Sequence, residues 1–225
     1  MNVLVMYEAS GVVREAFRNA GHNAWSLDIE PAADGSPFHF QMDAGEAMSE
    51  IEGDEQHWDM VIAHPMCTYV TTSAAWAYKD PDYDRFPDNG YHLKFGADVV
   101  TGSARRALRA KALLNMQRIL KLPVPYIAME NPGRGFFNRI EKPTQIINPY
   151  EFGHDASKAT GLWLRGLPPL RPTEMVPPAY YHDGKPRWSN QSPCGAPKAP
   201  PSKDRWRDRS ETYQGIAEAM AAQWK

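Results

Sequence analysis

Only two cysteines, Cys67 and Cys194, occur among 225 residues, and no Cys-x-x-Cys pair is present. That excludes a disulfide framework and a thiolate metal centre, and makes a reducing, cytoplasmic setting the expectation. The chain also lacks any apolar run near the roughly 20 residues that span a bilayer, so no membrane partner is expected. The opening "MNVLVMYEAS" has no basic flank before its apolar run and reads as a strand, not a signal peptide. Charge of one sign is missing too. A net charge of −2 confines any nucleic-acid surface to a local patch. What is present is apolar: 42% hydrophobic and 11% aromatic residues supply a real core, which argues against disorder throughout.

In the first half, strand-like and helix-like segments alternate. "NVLVMYEAS" is followed by "GVVREAFRNAG", with helical spacing at Val13, Phe17 and Ala20 and a stop at Gly21. "NAWSLDIEP", "DMVIAHP" and "YIAMENP" read as further strands. "SARRALRAKALLNMQRILKL" reads as the strongest helix, its stripe drawn through Ala107, Leu108, Leu113, Leu114 and Ile119 or Leu120. The alternation predicts an α/β fold, a doubly wound and mostly parallel sheet, with ligands bound outside the carboxyl ends of the strands. Glu8, Asp28, His64 to Cys67, Glu130 and Asn131 all fall at or just past those ends. Residues 166–204 are rich in proline, which excludes long helices and central strands there. The expected organisation is a catalytic domain over 1–165, a proline-rich extended segment over 166–204, and a C-terminal helix over 205–225 packing back on the domain.

Cys67 lies in "VIAHPMCTYVTT", where a strand gives way to a polar turn. It is either a structural thiol, as most cysteines outside disulfides are, or a nucleophile, which needs exposure and a lowered pKa. Glu130 and Asn131, in "YIAMENPGRGFF", place an acid at the end of an apolar strand, where it needs a partner or a task. Burial is expected to raise the pKa of Glu130 and let it donate a proton to a ring nitrogen. Gly11 opens the first helix and is compatible with close approach of a nucleotide-like ligand, although G-x-G-x-x-G is absent. Asp28 is placed to accept ribose hydroxyls, and Asp43 to sit beside an adenine amino group. The aromatic-rich stretch 68–98 reads either as a lid or as a structured insertion. Basic residues group at Arg105, Arg106, Arg109 and Lys111, a solvated helix face as readily as a binding one. They group again at Arg205, Arg207 and Arg209 around Trp206, which suits phosphate tracking and base stacking.

The ordered set "SG", "DIEP", "MDA", "AHPMC", "MENPG", "YEFG…SKAT" and "YQGIAEAM" resembles the motif series of the DNA (cytosine-5)-methyltransferases, particularly short phage-type members. The resemblance implies a Rossmann-like S-adenosylmethionine fold in which Cys67 attacks carbon 6 of cytosine and Glu130, beside Asn131, engages N3. It assigns S-adenosylmethionine to Ser10, Gly11, Asp28, Ile29 (packing on adenine) and Asp43, with Glu8, His64 and Pro65 at the neighbouring strand ends and Gly215 in the closing motif. Lys158 and Thr160 take the substrate-contacting part, and Arg205, Trp206, Arg207 and Arg209 the nucleic-acid face. The implied partner is DNA with a flipped-out or single-stranded cytosine; dimerisation would be one way to add DNA-binding surface. The sequence departs from the family in two ways. Met66 separates Pro65 from Cys67, and only the proline-rich stretch occupies the interval of a recognition domain. A free pyrimidine nucleotide, a different transferred group and an inactive binder are the rival expectations.

Overall fold

The computed structural model describes residues 1–53, 57–72, 74–198 and 211–225. Its centre is a seven-stranded sheet. In chain order the strands are β1 (Asn2–Met6), β2 (Asn23–Asp28), β3 (His39–Gln41), β4 (Met60–Ala63), β5 (Tyr126–Pro132), β6 (Gln145–Ile147) and β7 (Thr160–Arg165). Their spatial order is β3-β2-β1-β4-β5-β7-β6. The first five strands pair in parallel, while β7 runs antiparallel between β5 and β6. This is the doubly wound, mostly parallel Rossmann-like fold. The order reverses between β1 and β4, and the crevice at such a reversal is where ligands bind.

Alternation along the strands builds two cores. Val3 and Val5 of β1, with Met60 and Ile62 of β4, face α1 (Val12–Asn19) and α4 (Gln214–Gln223). Leu4, Met6, Val61 and Ala63 face α2 (Ala44–Glu52) and α3 (Gly102–Leu120). Helix α1 forms because Val13, Ala16 and Phe17 recur at helical spacing and are buried together. Asp43 caps α2 by accepting the Gly45 N–H at 2.7 Å.

Two features differ from the sequence pattern. Strand β3 has only three residues, too short a run to show a period in sequence. The stripe expected on α3 also differs: Ile119 is buried as expected, but Leu114 is 65% exposed and Ala107 is exposed, while Arg105 and Met116, outside the stripe, are buried. At its first turns α3 meets an aromatic surface rather than the aliphatic core. The Arg105 and Arg109 guanidinium groups lie 4.9 and 4.3 Å from the Tyr78 ring centre, a contact arginine makes and leucine cannot match electrostatically.

The stretch after Cys67 is a structured insertion. Trp76, in a short 3-10 turn (Ala75–Tyr78), packs on Tyr91 and Phe95 at ring distances of 5.5 and 5.0 Å. The proline-rich stretch holds a hairpin, β8 (Tyr180–His182) and β9 (Lys185–Arg187). It is fastened to the body by Trp188 stacked on Tyr150 at 3.9 Å, and by Asn190, which both accepts from the Ser157 N–H and donates to the Ser157 carbonyl.

Candidate active site

His64 and Glu130 stand two residues beyond Ile62 and Ala128, so the period of two turns both toward the α1/α4 face. There they meet, with His64 Nδ1 2.8 Å from Glu130 Oε2 and side-chain exposures of only 10% and 12%. The Thr212 hydroxyl, two residues ahead of α4, donates to the same Oε2 at 3.3 Å. Lys158 Nζ lies 4.0 Å from the other oxygen, Oε1. One carboxylate oxygen is thus held by two donors, while the other faces a single distant cation.

The electrostatics overturn one expectation. Burial does push the Glu130 pKa up, but the His64 hydrogen bond outweighs it, together with the charges of Lys158 and His64 and the Thr212 hydroxyl. The net result lies below the usual carboxylate range, at about 2. Burial pushes His64 down, and Glu130 and Glu8 more than reverse it, so its pKa ends above the ordinary value. The contact therefore favours the charged form of both partners, an anionic Glu130 and a protonated His64. His64 Nε2 is buried and has no hydrogen-bond partner among the described residues.

Glu8, just past β1, is buried, and its carboxylate accepts the Val13 N–H at 2.6 Å and the Arg14 N–H at 3.2 Å. It caps α1 from a distance, because Gly11 at the helix start has no side chain to do so. Burial raises its pKa, against the His64 charge and those two N–H bonds.

Cys67 is exposed and begins a turn in which its carbonyl accepts the Val70 and Thr71 N–H groups at 3.0 and 3.1 Å. Behind it Pro65 is buried, and its carbonyl receives the buried Asn131 side-chain N–H at 2.9 Å. Asn131 thereby ties the cysteine turn to the strand that carries Glu130. A second tie runs from the Phe136 N–H to the Val70 carbonyl at 2.7 Å, beside a Thr71–Gly135 bridge. Met66 points outward, 63% exposed.

At the edge where the sequence resemblance places a cofactor, Asp28 ends β2, its Oδ1 accepting the Glu30 N–H at 3.0 Å, and Ile29 beside it is 65% exposed. Asp43 follows β3, and Ser10 Oγ accepts the Val12 N–H at 3.5 Å. Gly11 adopts a left-handed conformation, φ +78°, and the space a Cβ would need is filled by the Arg14 guanidinium and by Asp34 Oδ2 at 2.9 Å. Arg14 is fully buried, paired with Asp34 and Glu15 and bonded to Ser26 Oγ at 2.8 Å. The close approach permitted at Gly11 is therefore made by the chain's own arginine.

Three further residues sit differently from expectation. Thr160 is buried in β7 with its hydroxyl on the Lys158 carbonyl, so it shapes the lysine's loop and does not face outward. A Cβ at Gly215 would run into the Phe152 carbonyl, and the Gly215 N–H donates to His154 Nε2 at 2.9 Å, which docks the start of α4. Arg105 is buried and donates to the Thr68 and Val100 carbonyls. Arg205, Trp206, Arg207 and Arg209 lie outside the described residues. Thr212, one residue ahead of the closing motif, and Arg14, on the apolar flank of α1, are functional neighbours that carry no sequence signal of their partners.

No family model matches the chain, and no curated protein sequence does. Among solved structures it is similar to a protein described as a DNA modification methyltransferase encoded within an E. coli prophage. That likeness has 13% identity and a TM-score of 0.42, covering 79% of this chain and 52% of that one. It is also similar to a mutant DNMT2 from Spodoptera frugiperda, with 17% identity and a TM-score of 0.37, covering 83% of this chain and 57% of that one. The chain thus spans a little over half the length of either structure.

Proposed function

We propose that this chain transfers a methyl group to carbon 5 of cytosine in DNA, with Cys67 as the nucleophile that adds to carbon 6. The observation that carries the reading is the pairing of an exposed cysteine with a buried carboxylate at the carboxyl ends of adjacent parallel strands, tied together by the Asn131–Pro65 bond.

Carbon 5 of an intact cytosine ring is a poor nucleophile. Addition of the Cys67 thiolate forms the sulfur–carbon 6 bond and displaces the C5–C6 π pair toward C5, with negative charge delocalised to N3. A proton taken up at N3 relieves that charge. The His64–Glu130 pair holds one exchangeable proton, and the Glu130 anion stabilises the protonated N3 and the neighbouring amino group. After transfer, a base of the solvent class (water or hydroxide) takes the carbon 5 proton. The C5–H electron pair re-forms the C5–C6 double bond and breaks the C6–S bond to expel the thiolate, and N3 returns its proton to the His64–Glu130 pair, which restores the ring. The target base must leave a duplex stack to reach these groups.

The cofactor-side residues fit S-adenosylmethionine by the chemistry of their side chains: carboxylates Asp28 and Asp43 for hydroxyl and amino donors, and the exposed Ile29 for an adenine face. When bound, it supplies an electrophilic methyl group on a sulfonium.

The test is trapping on DNA carrying 5-fluorocytosine with S-adenosylmethionine present. The wild type is expected to leave a covalent adduct on a denaturing gel, and Cys67→Ala none. Full methyl transfer by Cys67→Ala would overturn the covalent mechanism. One observation favours a second reading, in which the substrate is a free pyrimidine nucleotide: the described residues between β7 and α4 hold only one small hairpin as candidate recognition surface. Mass spectrometry of DNA and of nucleotides after incubation separates the two.

A further inference from the structure

In a chain of net charge −2, phosphate binding requires a place where cations are not already neutralised. Among the described residues Arg14, Arg106 and Arg118 each pair with a carboxylate. Arg109, Arg134 and Arg139 are among those with no such pair. Two of them, Arg109 and Arg139, stack on one aromatic ring, and Arg134 is its near neighbour in the chain. The Arg109 guanidinium lies 4.3 Å and that of Arg139 5.2 Å from the centre of Phe136, and Arg134 is exposed two residues before that ring. Arg109 also lies 4.3 Å from Tyr78, whose ring meets Phe136 edge-on at 5.5 Å. Stacking holds Arg109 in place before any ligand arrives, so less side-chain freedom is lost when it binds a phosphate. The surrounding segment "GRGFFNRIEK" carries three cations against one acid.

The location is as informative as the charge. Phe136 bonds to the Val70 carbonyl within the turn that Cys67 begins, and Arg134 follows Glu130 by four residues. The cations therefore lie beside the Cys67 turn and the Glu130 strand, on exposed or half-exposed positions and not around an enclosed cavity. A mononucleotide asks for one phosphate pocket. Successive phosphates of a polymer suit cations spread along an open rim.

We propose that Arg109, Arg134 and Arg139, grouped about Phe136, bind the phosphodiester backbone of an unpaired DNA strand whose target base enters between Cys67 and Glu130. The inference rests on the proposed function and selects the polymer over the free nucleotide as substrate.

The experiment is fluorescence-anisotropy binding of a labelled single-stranded oligodeoxynucleotide across a salt series. Arg134→Ser and Arg139→Ser, at exposed positions, are each expected to weaken binding and lower the slope of log K against log salt by about 0.7. Lys121→Ser, just past the end of α3 and at the opposite edge of the sheet, is expected to change neither. Unchanged affinity and slope in both arginine variants would overturn the proposal. Failure of the chemistry is separable: an arginine-dependent slope with no adduct on 5-fluorocytosine DNA leaves the surface standing and removes the covalent reading. An adduct formed equally on the free nucleotide and indifferent to both variants does the reverse.

Discussion

His64 and Glu130 form a buried ion pair, 2.8 Å between Nδ1 and Oε2, that joins the ends of two adjacent parallel strands on the face opposite α2 and α3. Each side chain alone would be costly to bury in its charged form; together they stabilise each other's charge. The pair fixes which carboxylate oxygen is engaged and which remains for a ligand.

Its contribution to stability depends on pH from both sides. A histidine whose folded pKa is raised above its ordinary 6.5 contributes fully below about 6.5 and loses the contribution as pH rises through the folded value. A carboxylate lowered from 4.5 to about 2 contributes above about 4.5 and loses it as pH falls toward 2. The pair therefore stabilises most between about pH 4.5 and 6.5. Glu130→Gln is expected to cost about 3–5 kcal/mol in that window and less outside it. Urea unfolding of both proteins across pH checks this, and a pH-independent difference would contradict it.

Thr212→Val removes the 3.3 Å hydroxyl bond to Glu130 Oε2 while keeping the side chain's shape. The expected loss is about 1 kcal/mol, a fall in Tm of about 2–4 °C for a chain of this size. Calorimetry of the variant in a Glu130→Gln background should show a smaller fall, because the charged acceptor is gone.

Asn131→Asp replaces the donor to the Pro65 carbonyl with a second acceptor in a buried position. The cysteine turn should loosen. Amide exchange at Val70 and Thr71, whose N–H groups bond the Cys67 carbonyl, is expected to speed up about tenfold, equivalent to ~1.4 kcal/mol. Exchange that rises uniformly over the whole chain would point to global destabilisation instead.

Gly11→Ala drives a Cβ into the buried Arg14 guanidinium at a left-handed backbone position. A loss of about 2–3 kcal/mol is expected by chemical denaturation. Arg14→Ala should be partly non-additive with it, since the double variant no longer holds the clash. Full additivity would assign the loss to backbone conformation alone.

The strands β1, β2, β4 and β5 were legible as short apolar runs buried in the sheet, and α1 by its helical spacing, each ending near an acid, glycine or proline. The C-terminal helix was legible too, although it begins only at Gln214. Strand β3 and the packing face of α3 were not. Three residues carry no period, and an arginine stacked on tyrosine looks, in sequence, like any solvated cation. Cys67 and Glu130 stood out as a scarce thiol and a stranded acid. Their partners did not: Thr212 comes from 82 residues beyond Glu130, and hydroxyl chemistry gives no local sign of its target.

By itself the sequence determined the strand–helix alternation, and with it the parallel sheet and the edge at which Cys67, Glu130, Asp28 and Glu8 gather, because period and chain punctuation are local properties. The tertiary structure alone decided the charge of that edge. The pKa of Glu130 is set by His64 from another strand and Lys158 from a distant loop, and burial by itself would have moved it the opposite way. Electrostatic interactions act through space between groups that the chain brings together only when folded.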